Sequence, residues 1–526
     1  MSQMLKSSGA LGAATLTSRV LGLLREMAYA RFMGDGWVAG AFMLAFMIPN
    51  LFRRLLGEGA LTAAFIPIFK EKEKVEGDAS MWRAANAVIS GLLVGAVIII
   101  ILGMIVVSII LWFPGRHDQT ELMLRLLRSM FPYVLLVCLA AVFMGMLNAR
   151  GHFFVPAIGA AMLNVVMIAS VFWIAPMMGS TLERQIFGLA IGVLLAGIVQ
   201  AGFQLPLLSK EGFKYRWTSP WRDQTVIRVA RQMLPATIGV AAYQLNVMST
   251  QGIAFGVDPG VVASFNYAVR LMELPQGVFG LSLATYLLPT LSGLSAEKKY
   301  DEFRSTLAGG VGYLVFINLL ASILLIVLAH PIVRLLFERG RFDVSSTARA
   351  SGALVYLAPG LLAFSIVNIF ARAFYALGDT KSPMKISVFC LGLNVVLTCA
   401  FLFLFPMRQA GLGLANTLSS VINVALLGFA LRKKIAGLQL RPLWQQTPAL
   451  VGSALLAGAA AWGLSFWWEA RMGHGNVGLK VASVFLPAFA AALVYFGLCW
   501  RLKIAYMSDI LRMLPGSLRR FFKVER

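Results

Sequence analysis

Long apolar stretches, each of about 20 residues or more, recur from one end of this chain to the other. A stretch of that length can cross a bilayer as one α-helix, in which every backbone polar group is bonded within the segment. Hydrophobic residues make up 59% of the 526 residues, which is more apolar sequence than a water-soluble core can bury. The sequence therefore predicts an all-α polytopic membrane protein with about 14 transmembrane helices. The predicted spans are residues 8–33, 36–57, 85–113, 123–148, 155–177, 185–208, 226–254, 259–291, 305–337, 347–377, 383–405, 410–431, 447–468 and 478–500.

The net charge of +23 is distributed in a way that favours a membrane surface over nucleic acid. Lys and Arg cluster in short segments between the apolar stretches, as expected beside an anionic inner leaflet. With a cytoplasmic N-terminus, the predicted spans alternate so that the connections around Lys72, Arg150, Lys214 and Lys298 lie inside, and those around residues 34–35, 255–258 and 338–346 lie outside. The inner segments then carry about three times as many basic residues as the outer ones, in agreement with the positive-inside rule. Both termini are therefore predicted to be cytoplasmic, with anionic membrane lipids and no nucleic acid as partners.

The sequence motifs of common catalytic and cofactor sites are absent. No GxxxxGK[ST], HExxH or GxSxG pattern occurs. The four histidines are scattered, and the four cysteines lie in apolar stretches without CxxC spacing. The sequence predicts neither an enzyme nor a metal or cofactor site.

Similar sequences recur in the two halves of the chain. IPN followed by FIPIFKEKEK resembles LPQ followed by LLPTLSGLSAEKK, and Pro49 and Pro275 are 226 positions apart. A second matched pair, Pro156 and Pro383, is 227 positions apart. About six spans separate equivalent points, an even number, so the halves have the same orientation and form parallel repeats. The predicted organisation is a six-helix lobe in 1–223, a second in 224–440 around a central cavity, two further helices in 441–503, and a basic amphipathic tail in 504–526.

Arginines occur inside the predicted spans of both lobes. Arg19 and Arg25 lie in the first span, Arg53 and Arg54 follow Pro49 in the second, and Arg270 precedes the second lobe's proline. A charge in the hydrocarbon costs about 2.5 to 3.5 kcal/mol, so it persists where it faces a wet cavity, a partner or the interface. We expect Arg19, Arg25, Arg53 and Arg270 to line a central cationic cavity.

Some of these arginines have an alternative to lining a cavity. Arg53 and Arg54 could instead snorkel to the inner surface. Ordinary ion pairs are the alternative for Arg54 with Glu58, at a spacing of four, and for Arg270 with Glu273, at a spacing of three.

Glu26 can neutralise only one of the two arginines of the first span, and Asn50 is a further polar residue beside Pro49. Pro49 and Pro275 free backbone carbonyls and bend their helices, so both are predicted hinges. Because arginine binds phosphate and carboxylate through a planar fork and stays charged, the predicted cargo is anionic.

At these residues the chain resembles a known family. SRVLGLLRE, IPNLFRRLLGEGALTAAFIPIFKE, YAVRLMELPQGVFG and FYALGDTKSP are similar to the MviN/MurJ lipid II flippases of the multidrug/oligosaccharidyl-lipid/polysaccharide exporter superfamily. The similarity covers nearly the whole chain and is strongest in residues 17–71.

The resemblance implies two six-helix lobes, and two C-terminal helices that form a lipid-facing groove. It implies a protein of the bacterial plasma membrane that flips lipid II, an undecaprenyl-pyrophosphate-linked disaccharide-peptide, from the inner to the outer leaflet for cell-wall synthesis. Other cell-wall synthesis proteins are further candidate partners. The family's essential arginines fall on Arg19, Arg25, Arg53 and Arg270.

The chain also departs from the family pattern. Gly40 stands where relatives can carry an acidic residue, and Val269 replaces the acidic residue of a common YADR form. These differences put an acidic coupling role at either position in doubt. The alternatives that remain are a polysaccharide-lipid flippase or a cation-coupled drug antiporter of the same superfamily and, outside transport, a membrane scaffold.

Overall fold

The computed structural model describes the backbone of residues 2–55, 61–221, 223–435, 437–438 and 440–513. Side-chain surroundings are described for the same residues except 2–16, 61–63, 160, 234–236, 238–240, 242 and 510–513. In this described part of the chain all regular secondary structure is helical. The apolar stretches have therefore formed helices, as the sequence predicts.

The first of two compact units comprises residues 1–263 and 339–342. Its core includes aromatic side chains from several helices, among them Phe65, Phe69 and Phe143. Its helices are α1 (Ser2–Met33), α2 (Trp37–Phe52), α3 (Leu61–Glu76), α4 (Asp78–Trp112), α5 (Asp118–Met130), α6 (Tyr133–Ala149), α7 (Phe154–Ala169), α8 (Ala175–Met177), α9 (Leu182–Gly202), α10 (Leu205–Lys210) and α11 (Gln224–Val257).

The second unit comprises residues 264–338 and 343–526. α12 (Pro259–Pro275) crosses the boundary between the two units. The other helices of the second unit are α13 (Ser282–Ala296), α14 (Tyr300–Val327), α15 (Ala329–Phe337), α16 (Val344–Leu357), α17 (Gly360–Ala376), α18 (Lys381–Cys399), α19 (Arg408–Lys434), α20 (Arg441–Arg471), α21 (Val477–Arg501) and α22 (Ala505–Met513).

The lobe boundary predicted at residues 223 and 224 follows the sequence repeat and stays a prediction. By compactness, α11 groups with the first unit, where it packs on α2, α3 and α4.

Within the described residues, ten helices are long and apolar enough to cross a membrane, or up to twelve if each of two bent pairs is one span. The chain is a multi-pass membrane protein. The predicted spans 8–33 and 226–254 are helices of 32 and 34 residues, α1 and α11, but neither is among the ten. α1 contains charged residues and α11 contains Gln244, Asn246 and Gln251, which lower their mean hydropathy. Fourteen spans thus stay a prediction that depends on these two polar helices.

The internal repeat is visible in two helices of equal length. α6 and α17 each contain 17 residues, and they begin 227 positions apart, directly after Pro132 and Pro359. Each follows a bend from the preceding helix, of 44° before α6 and 46° before α17. After each helix comes a glycine in the left-handed region, Gly151 at φ 86° and Gly378 at φ 71°. These matches support the predicted repeat, which stays a prediction for the lobes as a whole.

The predicted hinge prolines share a second backbone feature. Pro49 in α2 is followed by a π-helical turn at residues 53–55, and Pro275 is followed directly by a π-helical segment, Gln276–Leu281. π-helical turns replace the regular hydrogen-bond pattern and are frequent at functional sites. Their recurrence after both prolines supports the choice of these positions as hinges, a role that stays a prediction.

The start of the predicted tail packs into the protein. Ile504, Tyr506 and Met507 are buried within the core of the second unit. The Tyr506 ring lies 5.1 Å from the ring of Tyr313 on α14, whose hydroxyl donates to the Asp509 carboxylate. α22 therefore begins as a docked helix of the second unit. The predicted contact of the tail with the membrane surface stays a prediction, and residues 514–526 lie outside the described part.

A glycine on α14 makes this docking possible. A Cβ added at Gly312 would overlap the Tyr506 ring, so we expect Gly312→Ala to displace α22. Overpacking of this kind costs about 1–3 kcal/mol. A loss of stability of that size should lower the protein's melting temperature in detergent by several degrees. Gly309→Ala is the matched control, because a Cβ there meets nothing within 4 Å. Equal melting temperatures for the two variants would contradict the docking.

Candidate functional site

The first helix carries two arginines well inside its length. α1 continues unbroken through Arg19 and Arg25, which precede its end at Met33 by 14 and 8 residues. At 1.5 Å per residue, they lie about 21 and 12 Å from that end. α1 is a predicted span, and both charges lie well inside it, where a charge in a membrane needs a polar partner or a wet cavity.

Arg25 is held by its neighbours on α1. Its Nη2 donates to Glu26 Oε1 at 2.5 Å, and the two side chains are only 12% and 7% exposed. The guanidinium carbon lies 5.4 Å from the centre of the Tyr29 ring, which is within cation–π range. The Nε of Arg25 is buried and has no acceptor among the described residues. Arg25 is thus neutralised by Glu26 and held in place against Tyr29, and its Nε still lacks an acceptor among the described residues.

Arg19 has different surroundings. It is half-buried, and in the described part of the chain its side chain has no hydrogen-bond acceptor or acidic partner. α7 fixes α1 at this level, because Asn164 Nδ2 donates to the Ser18 carbonyl at 3.3 Å. Arg19 is therefore the arginine of α1 that is best placed to contact an anionic ligand directly.

The second helix places its basic pair beside the proline and the π-helical turn. Arg53 Nε donates to Asn50 Oδ1 at 2.7 Å, so Asn50 orients this guanidinium. Arg54 Nη1 donates to Gln244 Oε1 on α11 at 3.3 Å. Glu58, the alternative partner of Arg54, lies outside the described residues. Both arginines are half-buried, so their side chains are at least partly covered by protein.

The second unit holds the remaining predicted site residues. Arg270 Nη1 and Glu273 Oε2 are 2.8 Å apart, with 38% and 45% of their side chains exposed. The ion pair that the sequence left as the alternative for Arg270 is therefore present, and it is open to a ligand or to solvent. It lies one turn before Pro275 and its π-helical segment.

Gly40 is explained by a close approach within the first unit. A Cβ added at this position on α2 would overlap the carbonyl oxygen of Pro259, the first residue of α12. The same end of the unit brings in residues 339–342, where the Arg341 N–H donates to the Arg31 carbonyl at 3.0 Å. An acidic side chain at position 40 would not fit this arrangement, so the departure from the family pattern has a steric reason.

An ionic cluster ties together three connections at another end of the first unit. Arg150 donates to Glu73 at 2.5 Å and to Glu211 at 2.8 Å, and His152 Nε2 lies 2.8 Å from Glu211. Hydrogen bonds from His152 and Arg150 lower the pKa of the Glu211 carboxyl. The bond to Glu211 raises the pKa of Arg150. These connections were all assigned to the inner side from the sequence, and they do come together.

Two residues at the site were not predicted from the sequence. Tyr29 contacts Arg25, and its ring lies 5.9 Å from that of Phe42 on α2, so it connects the first two helices. Gln244 binds Arg54 and is buried. The available signal for Gln244 was a group of polar residues within a predicted span: Gln244, Asn246 and Gln251. Tyr29 gave no such signal, because aromatic residues are common in membrane helices.

Known proteins match the chain over most of its length. The profile of the family described as "Lipid II flippase MurJ" matches residues 29–482. A "Probable lipid II flippase MurJ" of Vibrio cholerae is 34% identical over 504 residues, covering 91% of this chain and 95% of that protein. A "Lipid II flippase MurJ" of Burkholderia cenocepacia is 32% identical over 511 residues, covering 94% of this chain and 96% of that protein.

Solved structures share the fold. A structure described as "Lipid II flippase MurJ, inward closed conformation" has a TM-score of 0.74 at 23% identity and covers 94% of this chain and 99% of that one. An inward-facing multidrug resistance transporter of the MATE family has a TM-score of 0.65 at 16% identity and covers 80% of this chain and 94% of that one. At these identities the likeness shows the fold alone. With relatives 32% and 34% identical over nearly its whole length, the chain belongs to the MurJ family of lipid II flippases.

Proposed function

We propose that the chain moves lipid II from the inner to the outer leaflet of a bacterial plasma membrane by alternating access. The observation that carries the proposal is Arg19, a permanent charge inside α1 that the described residues leave uncompensated. An arginine fork matches the pyrophosphate of lipid II, which would supply the missing negative charge. Flipping of this kind makes and breaks no covalent bond, so the protein acts as a transporter rather than an enzyme.

The predicted arginines have distinct proposed roles. Arg19, Arg25, Arg53 and Arg270 contact the pyrophosphate in a central cavity. We assign supporting roles to Glu26, Asn50, Arg54, Glu58 and Glu273. The carboxylates among them limit the net charge of the empty site, and Asn50 orients Arg53. The ion pairs of Arg25 with Glu26 and of Arg270 with Glu273 support this division, because each cancels one charge when no ligand is bound.

The hinges are proposed at Pro49 and Pro275. A proline removes one backbone hydrogen bond, and a π-helical turn loosens the pattern further, so bending at these points costs little. The arginines of α2 and the pair on α12 lie within about one turn of the two prolines. Movement at a hinge would therefore change the position of the binding groups directly.

We propose that both termini are cytoplasmic. The loops assigned to the inner side, around Glu73, Arg150 and Glu211, contact one another. Contacts also join three segments assigned to the outer side, around Gly34, Pro259 and Arg341. Connections assigned to the same side thus contact one another, which supports the predicted alternation of inner and outer connections. The positive-inside rule then decides which side is cytoplasmic.

A drug antiporter is the main competing function, because MATE transporters share the fold. An antiporter for cationic drugs would have no use for an uncompensated arginine in its site, so the charge of the site favours an anionic cargo.

Native mass spectrometry of the purified protein separates the two functions. We expect lipid II to bind at low micromolar concentration or better and a cationic drug of the type exported by MATE proteins not to displace it. Adduct formation should weaken at least about tenfold in Arg19→Ala, which lacks one charge-assisted hydrogen bond. Binding of the drug with displacement of lipid II would contradict the proposal.

A further inference from the structure

The connection between α10 and α11 contains a strip of aromatic and basic residues that the mechanism above does not use. Residues 213–221, here called the linker strip, have the sequence FKYRWTSPW, with two basic residues and no acidic one. The strip has no regular secondary structure except a turn at its last residue, and buried side chains lie at its start, Phe213, and next to its end, Pro220. It is therefore an extended segment attached at both ends.

One face of α4 holds the strip in place. Trp82, Asn86 and Ser90 are spaced four residues apart, so they share a side of the helix. The Trp82 ring lies 5.6 Å from the ring of Phe213. Asn86 Nδ2 donates to the Lys214 carbonyl at 3.1 Å.

Ser90 holds the middle of the strip. Its hydroxyl lies 3.2 Å from the Tyr215 hydroxyl and accepts from the Thr218 N–H at 3.3 Å. Asn86 and Ser90 are buried polar residues at the start of a long apolar helix. Their described hydrogen bonds go to the strip, so α4 is built to position this segment.

The side chains that point away from α4 have the character of a membrane interface. Trp217 and Trp221 are 60% and 70% exposed, and Lys214 and Arg216 are exposed beside them. The carboxylates that flank the strip have other partners: Glu211 is bound by Arg150 and His152, and Asp223 accepts from the N–H groups of Thr225 and Val226 at the start of α11. Within the described residues the surface therefore presents two cations without an acidic partner beside indole rings, a combination that complements anionic head groups.

The position of the strip along α4 also indicates a membrane interface. The exposed apolar face of α4 begins at Val97, seven residues after Ser90. This corresponds to about 10 Å along the helix axis. The strip thus lies between the polar start of α4 at Asp78 and its lipid-facing part, at the level where head groups meet acyl chains.

We propose that the linker strip is a binding surface for anionic phospholipid, with Lys214 and Arg216 on the phosphate and Trp217 and Trp221 at the head-group level. Under the orientation proposed above, the lipid belongs to the inner leaflet. The strip leads from α10 into α11, both within the first unit, so bound lipid would hold this part of the unit at the membrane surface.

The test is titration of the delipidated full-length protein with phosphatidylglycerol, counting bound lipids by native mass spectrometry. Lys214→Gln/Arg216→Gln should weaken the tightest binding about tenfold or more, since both charges proposed to contact the phosphate are removed. The matched control is Lys298→Gln/Lys299→Gln, which removes the same charge from another exposed inner connection. The control should bind like the unmodified protein. Equal weakening in both variants, or equal binding of phosphatidylcholine, would overturn the proposal.

A second measurement tests whether the indole rings of Trp217 and Trp221 contact lipid. Brominated phosphatidylglycerol in nanodiscs should quench the tryptophan fluorescence of the unmodified protein more than that of Trp217→Phe/Trp221→Phe. These two exposed indoles should account for the difference. An identical quenched fraction in both proteins would show that the strip does not reach the lipid. Displacement of phosphatidylglycerol by lipid II at this strip would overturn the assignment to phospholipid while leaving the proposed transport function intact.

Discussion

A protein with Arg19 replaced by alanine is expected to insert normally into the membrane and to fail to support growth of a flippase-depleted bacterium. Arg19 lies about 21 Å from the end of α1 at Met33 and has no acidic partner among the described residues. Its loss removes a charge-assisted contact to pyrophosphate of about 1.5–3 kcal/mol, which corresponds to a loss of binding of at least about tenfold. Arg19→Lys should restore growth only in part, because an ammonium group lacks the planar fork.

The matched control for this experiment is Arg125→Ala. Arg125 lies on α5, is 58% exposed and pairs with Glu121 four residues earlier. An exposed pair of this kind contributes little to stability, so growth should be unaffected. Normal growth with Arg19→Ala at equal membrane levels would remove Arg19 from the site.

The ion pair of Arg25 with Glu26 on α1 allows two roles of Arg25 to be separated: binding of the ligand and neutralisation of the Glu26 carboxylate. Arg25→Ala leaves the Glu26 carboxylate buried without its partner, so loss of function in this variant alone has two explanations. Arg25→Ala/Glu26→Gln removes both charges and the burial penalty. If Arg25 binds the ligand, the double variant stays inactive although its melting temperature recovers. Recovery of growth in the double variant would assign Arg25 a structural role.

Gly40→Asp, which introduces the acidic residue that relatives can carry, is expected to destabilise this protein rather than improve it. The added side chain would overlap the Pro259 carbonyl, which is backbone and cannot turn aside. It would also place a carboxylate at a fully buried position beside a carbonyl oxygen. Overpacking alone costs about 1–3 kcal/mol, and an unpaired buried charge adds to it. We expect a clear loss of folded protein in detergent, measured by size-exclusion chromatography and thermal unfolding.

Two further variants separate the steric overlap from the burial of a charge. Gly40→Ala tests the steric part alone and should show a smaller loss than Gly40→Asp. Gly36→Ala, one turn earlier at the start of α2, is the control, because a Cβ there meets nothing within 4 Å. A stable and active Gly40→Asp protein would mean that α2 and Pro259 are not in close contact in the working protein.

The sequence predicted the features that depend on local pattern. Apolar length fixed the helices, and matched prolines revealed a repeat that α6 and α17 reproduce at an offset of 227 residues. The pair of Arg270 with Glu273 followed from a spacing of three residues. For Glu26, the sequence left two arginines as possible partners, and the structure selects Arg25. The polar composition of α1 and α11 blurred the count of spans for a physical reason, since residues that face protein or water lower mean hydropathy.

Features that depend on contacts between distant segments could not be predicted. Gly40 was noted as a missing acidic residue, but its approach to Pro259 depends on how α2 meets the start of α12. Tyr506 was assigned to a surface tail, yet it docks over Gly312 on α14. The π-helical turns after Pro49 and Pro275 also have no sequence signature of their own. The first two features depend on a contact with a residue far away in the chain, and the third depends on backbone geometry that no local sequence pattern specifies.

The measurement that tests the central claim most directly is the appearance of lipid II on the outer face of intact cells. Cells depleted of their own flippase and expressing this chain would be treated with an added hydrolase that cannot enter and that cleaves lipid-linked pyrophosphate. We expect cleaved product to accumulate with the unmodified chain and with Arg125→Ala, and to stay at the level of an empty vector with Arg19→Ala. Product at the empty-vector level with the unmodified chain, at normal membrane abundance, would contradict the proposal that this protein flips lipid II.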